Sequence, residues 1–388
     1  GLSVGGLVGF NGSPGRVTNS HATGNVVAGL GSYVGGLIGL NNGTASNSSA
    51  GGAVKSSGAE AIGGLVGSNN YGEIKISRAD NNVTGGANAN IGGLVGYNLG
   101  KLANVAYHGN VFAGKNSLVG GLVGLHTGGT ISHSQASGNV TGYSSASAGG
   151  LVGENRGATL SNVQAHSDVS GGANVGGLVG NNIKGNIDNA SVQGNASAGD
   201  NGRVGGLVGN NDHSSIKNAQ ANVNVQGGDK SNGGGLVGYN SGALTLVTAT
   251  GNVTGGAESF VGGLVGIHAM GASGSISLAD ASGKITGGDN SSVGGIAGQD
   301  EALIDNSTAS GQLSGGHYAI LGGLAGKNFV NIDNSVFKGN ILRLAPSAGQ
   351  RIGSLAGINF GYLTGNKVSG EAEKLPPAGL SPRPGSIK

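Results

Sequence analysis

Hydrophobic and polar positions recur along this chain with a period of about 29 residues. Each period opens on an apolar tetrapeptide bounded by glycine. The series begins at Gly6–Gly9, Gly36–Gly39, Gly64–Gly67, Gly93–Gly96, Gly121–Gly124, Gly150–Gly153 and Gly177–Gly180. It continues at Gly206–Gly209, Gly235–Gly238, Gly263–Gly266, Gly295–Gly298, Gly323–Gly326 and, degraded, at Ser354–Gly357. The thirteen copies lie 27 to 32 residues apart. The unit Val119–Gly142 contains three extended segments separated by glycine-rich corners. The first is V-G-G-L-V-G, the second runs through Ile131, His133, Ser134 and Ala136, and the third is the G-N-V-T of Gly138–Thr141. Alternation of period two predicts strands. No long window carries a helical period, and this much glycine is costly inside helices.

A strand triplet of this size cannot bury its own apolar side, but stacked copies can. Each rung then pairs with the rungs above and below through parallel backbone hydrogen bonds, and Leu, Val and Ile form internal columns. The expected fold is therefore an all-β parallel β-solenoid over residues 1–370, with about thirteen rungs and three short strands per rung. At ~4.8 Å per rung the rod is on the order of 60 Å long. Small inward residues such as Ala22, Ala136, Ala249 and Ala309 let the walls approach. Glycine is expected where corners need positive φ or where backbone crowds backbone. Residues 371–388 are rich in proline and read as a linker or tail. The longer intervals Ile267–Ser275 and Leu342–Ile352, the second carrying Arg343, Pro346 and Arg351, read as loops projecting from the rod. The opening directly onto a rung reads as a segment of a longer chain, because a bare solenoid end exposes an edge.

Two polar columns accompany the apolar ones. Two residues after each tetrapeptide stands an asparagine: Asn11, Asn41, Asn69, Asn98, Asn155, Asn182, Asn211, Asn240, Asn328 and Asn359. His126, His268 and Asp300 fill the remaining rungs. A second series, Asn19, Asn47, Asn104, Asn162, Asn189, Asn218, Asn306 and Asn334, lies in the middle segment. Stacked asparagines can form amide ladders along a rod, so both series are expected to hold corners together, with a ligand-binding stripe as the alternative.

Composition sharpens this picture. Glycine supplies 87 of 388 residues, cysteine and tryptophan are absent, and 10% of residues are charged. Without strict every-third glycine the chain is not collagen. The net charge of +2 is scattered and forms no basic stripe with aromatic partners, so nucleic acid is not an expected ligand. No apolar run is long enough to cross a bilayer as a helix. Lack of cysteine removes disulfides and thiolate metal sites, and leaves the compartment open.

The recurring Gly-Leu-hydrophobic-Gly core resembles the GLUG motif of large bacterial surface proteins, including filamentous-haemagglutinin-like secreted adhesins and some immunoglobulin A peptidases. The resemblance covers about residues 1–370. It implies a secreted or surface-anchored rod with roles in attachment, aggregation or biofilm formation. The implied partners are a host or matrix polysaccharide, other cell-surface molecules, and further domains of the same polypeptide. No cofactor is implied.

Catalytic signatures are weak. Gly109-x-x-x-x-Gly114-Lys115 approaches a phosphate-binding loop, but Asn116 stands where Ser or Thr would hold magnesium and no helix follows. No H-E-x-x-H occurs. His126 and His268 share a column five rungs apart, ~24 Å, too far for one metal. Asp300, Glu301, Asp305 and Asp333 form the best acidic cluster. Asp305 and Asp333 are expected ~5 Å apart in neighbouring rungs, where like charges can recruit a cation such as calcium. The most regular outward face is the third segment, which presents Asn82 and Thr84, Asn139 and Thr141, Asp168 and Ser170, Asn195 and Ser197, Asn252 and Thr254, and Gln312 and Ser314; of these Asn82, Thr84, Asn139, Thr141, Asn252 and Thr254 are the candidate glycan-binding residues. The expected function is a non-enzymatic adhesive rod. A polysaccharide-active β-helix enzyme and an ice-binding protein are the alternatives.

Overall fold

The computed structural model describes residues 2–30, 32–271, 274–342 and 349–369. The tail expected at 371–388 lies outside the described residues, as do Arg343 and Pro346 of the last insertion. Every described secondary-structure element is a β-strand, and every strand pairing is parallel between successive repeats. Two sheets of thirteen strands and a third of thirty run along one rod. The parallel β-solenoid expected from the repeat is therefore present, at one rung per repeat.

Two details differ from the sequence expectation. The V-G-G-L-V-G segment is not one strand. In the fifth repeat, Leu118–Gly120 belongs to the first sheet and Val123–His126 to the second, with a bend at Gly121 and Leu122 between them. Glycine allows that bend through close approach and not through positive φ. A Cβ on Gly120 would lie 2.0 Å from the Val123 carbonyl oxygen, and one on Gly121 would lie 2.1 Å from the Gly150 carbonyl oxygen of the next rung. No L side chain fits such gaps. The bend drives Leu122 inward, where it is fully buried like its counterparts Leu94 and Leu151.

The second and third segments, in turn, share one sheet. In the seventh and eighth repeats they fuse into the thirteen-residue strands Asn186–Ala198 and Ser215–Gly227. The interior is a single apolar column system of Val, Leu, Ile and Ala. Ala136, Ala249 and Ala309 are buried, and each faces the first glycine of its tetrapeptide, Gly121, Gly235 and Gly295. Tyr107 and Phe337 replace that alanine in two rungs, and each is fully buried against the bare Gly93 or Gly323. The Tyr107 hydroxyl donates to the Asn81 carbonyl at 2.8 Å, which satisfies its one polar atom.

Candidate functional site

The first asparagine column is internal. Asn41, Asn69, Asn98, Asn155, Asn182, Asn211, Asn240 and Asn328 have no exposed surface, and Asn11 is nearly as buried. Each amide nitrogen donates along the rod to the next amide oxygen: Asn11 to Asn41, Asn41 to Asn69, and Asn69 to Asn98, each at 2.7 Å. Asn155, Asn182, Asn211 and Asn240 repeat the chain at 2.7–2.9 Å, and Asn328 donates to Asn359 at 2.7 Å. A second amide hydrogen goes to a carbonyl of the following corner, as from Asn69 to Gly72 at 3.0 Å. The ladder holds the corner between the second and third sheets while satisfying buried polar atoms.

Both ladder histidines sit inside this column. His126 Nδ1 lies 3.0 Å from Asn98 Nδ2, and burial lowers its pKa to about 4. His126 Nε2 and Asn155 Oδ1 have no partner among the described residues. His268 Nδ1 meets Asp300 Oδ1 at 2.8 Å, with both side chains fully buried. Burial pushes the Asp300 carboxyl up from its ordinary value, and the bond to His268 partly offsets this. The expected cluster around Asp300 is thus divided: Asp300 belongs to the interior ladder, whereas Asp305 and Asp333 lie on the third sheet. Those two are in register in neighbouring strands, as expected. The amides of Asn306 and Asn334 donate to Asp305 at 2.6 and 3.2 Å. No group of three or more His, Cys, Asp or Glu side chains among the described residues could hold a metal ion.

The second asparagine column is external: Asn47 donates to Asn19 and Asn189 to Asn162, each at 2.6 Å, but its shared feature is a backbone conformation. All eight of its asparagines have φ between 47° and 54°. Ile76, His133, Leu246, Leu278 and Gly365 occupy the same left-handed corner in the other rungs. Asparagine and glycine tolerate this conformation, whereas branched aliphatic residues strain in it. The residue after the corner turns inward and is often serine. Ser48 Oγ accepts the Ser20 N–H at 3.2 Å and donates to the Ser46 carbonyl at 2.8 Å, supplying the bonds that the corner interrupts.

The third sheet carries the outward polar face. Asn82, Asn139 and Asn252 are exposed on it, with Thr84, Thr141 and Thr254 beside them. Part of their hydrogen-bonding capacity is used internally: Asn82 Oδ1 accepts the Asn110 N–H at 3.0 Å and Asn252 Oδ1 accepts the Lys284 N–H at 3.0 Å. The same inter-rung tie recurs from Asn110 to the Asn139 N–H. Phe112, 43% exposed, interrupts the column between Thr84 and Thr141. The Thr84, Thr141 and Thr254 hydroxyls make no hydrogen bond among the described residues.

At the centre of this face the sequence reading places Asn195 and Ser197 but not the polar residues around them. On the fused strands, Ser191, Gln193, Asn195 and Ser197 lie beside Gln220, Asn222, Asn224 and Gln226. Thr248, Asn252 and Thr254 extend the array into the next rung. These side chains are all polar and uncharged. A shallow depression of about 530 Å³ crosses them between Asn195 and Thr254. The signal was the strict polar alternation of 220–226, masked by the more repetitive N-V-T units. The near-miss phosphate loop has no such geometry: it contains the strand Val111–Ala113 and ends at the left-handed corner residue Asn116.

A rod with a buried amide ladder and a repeat-encoded polar face defines a class: the parallel β-solenoid repeat protein. The family described as the GLUG motif matches residues 1–27, 115–141 and 200–226, in register with the repeat, so this chain is a GLUG-repeat protein. Comparison with curated proteins and with solved structures finds no match.

Proposed function

We propose that this chain is the non-catalytic, glycan-binding rod of a bacterial surface or secreted adhesin. The observation that carries the reading is the array of uncharged hydroxyls and amides on the third sheet, centred on Gln193, Gln220, Asn222 and Gln226, none of which makes a side-chain hydrogen bond among the described residues. Free amides and hydroxyls held at a fixed spacing on a stiff wall are preorganised for the hydroxyls of a sugar polymer, with little ordering cost on binding. The fold supplies reach, and repetition supplies multivalency, so weak individual contacts sum along a polymer. Partners of this chemistry are host or matrix polysaccharides, consistent with the surface attachment that the motif implies.

A glycan array with the whole chain tests this reading. Binding is expected, and a quadruple Asn139→Ala, Thr141→Ala, Asn252→Ala, Thr254→Ala variant is expected to weaken it severalfold. Absence of binding to every arrayed glycan would remove the proposal. Measurable depolymerisation of a polysaccharide would replace it with the enzymatic alternative, and thermal hysteresis in solution would replace it with ice binding.

A further inference from the structure

The left-handed corner produces a second feature. Because the chain turns there without bulging, the corner residues and the outward residues two positions later form two parallel rows with a trough between them. Asn104, His133, Asn162 and Asn189 make one row, and Ala106, Gln135, Gln164 and Ser191 the other. The trough over these four rungs encloses about 470 Å³, floored by the buried Val105, Ser134 and Val163. A further 290 Å³ continues it toward the first rung, past Arg78 and Asn47 to His21. Asn104 and Ala106 line both parts, so the two are one groove parallel to the rod axis.

We propose that this groove seats a single linear, neutral polysaccharide chain running along the rod. The proposal rests on the glycan-binding reading above and assigns it a place and a ligand class. Four observations point to this occupant. The deeper part has no Lys, Arg, Asp or Glu in its lining, which disfavours an acidic polymer or a nucleic acid. Gln135 and Gln164 are exposed, in register, and make no side-chain hydrogen bond among the described residues. Their amides offer both donors and acceptors to hydroxyls. The rows repeat once per rung, ~4.8 Å, with a polar side chain in at least one row of each rung, an interval comparable to one sugar ring in an extended chain. Finally, the backbone of the groove walls is already paired between rungs, so a peptide cannot bind there by adding a strand. The corner row is polar from Asn104 to Asn218 and is interrupted by Ile76 on one side and by Leu246 and Leu278 on the other, which brackets the polar stretch.

Affinity of the whole chain for three soluble linear hexasaccharides, by titration calorimetry, tests this. The probes are a neutral glucose hexamer, a neutral N-acetylglucosamine hexamer and an acidic galacturonate hexamer. At least one neutral probe is expected to bind more tightly than the acidic one. Gln135→Ala with Gln164→Ala is expected to weaken that binding at least tenfold. Both positions are exposed, so an unchanged melting curve verifies folding. Gln226→Ala with Thr254→Ala, on the flat part of the face, is expected to weaken binding of the hexamer less than the groove variant does. Loss of binding only in the flat-face variant would overturn the groove assignment and leave the glycan reading standing. So would preference for the acidic probe, or failure of both neutral probes while other arrayed glycans bind. Failure of every glycan would overturn both.

Discussion

Two columns of asparagine run the length of this rod, and they do opposite work. In the buried column the side chain is the structural element: each amide bonds to the next, and its two chemical ends are consumed inside the molecule. In the exposed column the backbone is the structural element: asparagine is there because it accepts φ near 50°, and its side chain stands in solvent at the lip of a groove, bonded to its neighbour in some rungs, as Asn189 is to Asn162 at 2.6 Å. The same residue, at the same period, thus supplies cohesion in one place and surface chemistry in another. What separates the roles is burial, because an amide without a partner costs ~1–3 kcal/mol inside the rod and almost nothing outside it.

That difference predicts unequal mutational costs. Asn211 accepts from Asn182 at 2.9 Å and donates to Asn240 at 2.7 Å. Asn211→Ala strands one buried donor and one buried acceptor, so it is expected to destabilise its rungs by about 2–5 kcal/mol. Asn162→Ala, at the exposed corner, is expected to cost only about 1 kcal/mol, chiefly from the left-handed backbone, because the bond it accepts from Asn189 is replaced by water. Repeat rods open locally, so amide hydrogen exchange around each site is the appropriate measurement. Equal losses at the two sites would break the comparison.

A smaller but more diagnostic effect concerns pH. His126 has a pKa of about 4 in the fold against 6.5 unfolded. The unfolded chain therefore takes up the proton first, and stability falls as pH drops below 6.5, losing up to about 3 kcal/mol by pH 4. Asparagine at this position can accept from Asn98 and donate to the unpartnered Asn155 Oδ1. His126→Asn is accordingly expected to flatten the acid limb of urea-denaturation stability between pH 6.5 and 4. An unchanged acid limb would place the sensitivity elsewhere.

The smallest effects belong to the outer column. Ile76, Leu246 and Leu278 hold left-handed backbone with branched side chains. Replacing each with asparagine is expected to stabilise the rod by about 0.5–1 kcal/mol, read as a rise in melting temperature. Destabilisation would show that these side chains pack in a way their exposure does not suggest.

The stacking of rungs and the identity of the inward columns were legible in the sequence, because period-two alternation and a fixed repeat length leave few other ways to bury Leu, Val and Ile. The buried ladder was legible as a column, but not as an interior. Polarity argued for the surface, and only the reciprocal amide bonding along the rod makes burial of Asn41 or Asn69 tolerable. The bend within V-G-G-L-V-G was not legible, since its cause is contact between rungs, between Gly121 and Gly150, and not a local turn signal. The outer groove was hidden for a related reason. Asn104 and Gln135 are 31 residues apart in sequence, and only the left-handed corner sets their two rows facing one trough.

The most direct test of the account is the exchange of asparagine side-chain amide protons with solvent, followed residue by residue by NMR in the whole chain. The account predicts slow exchange for Asn41, Asn69, Asn182 and Asn211, whose Nδ2 groups are locked in the ladder, and rapid exchange for Asn104 and Asn162 at the groove. Similar exchange rates in the two columns would contradict it.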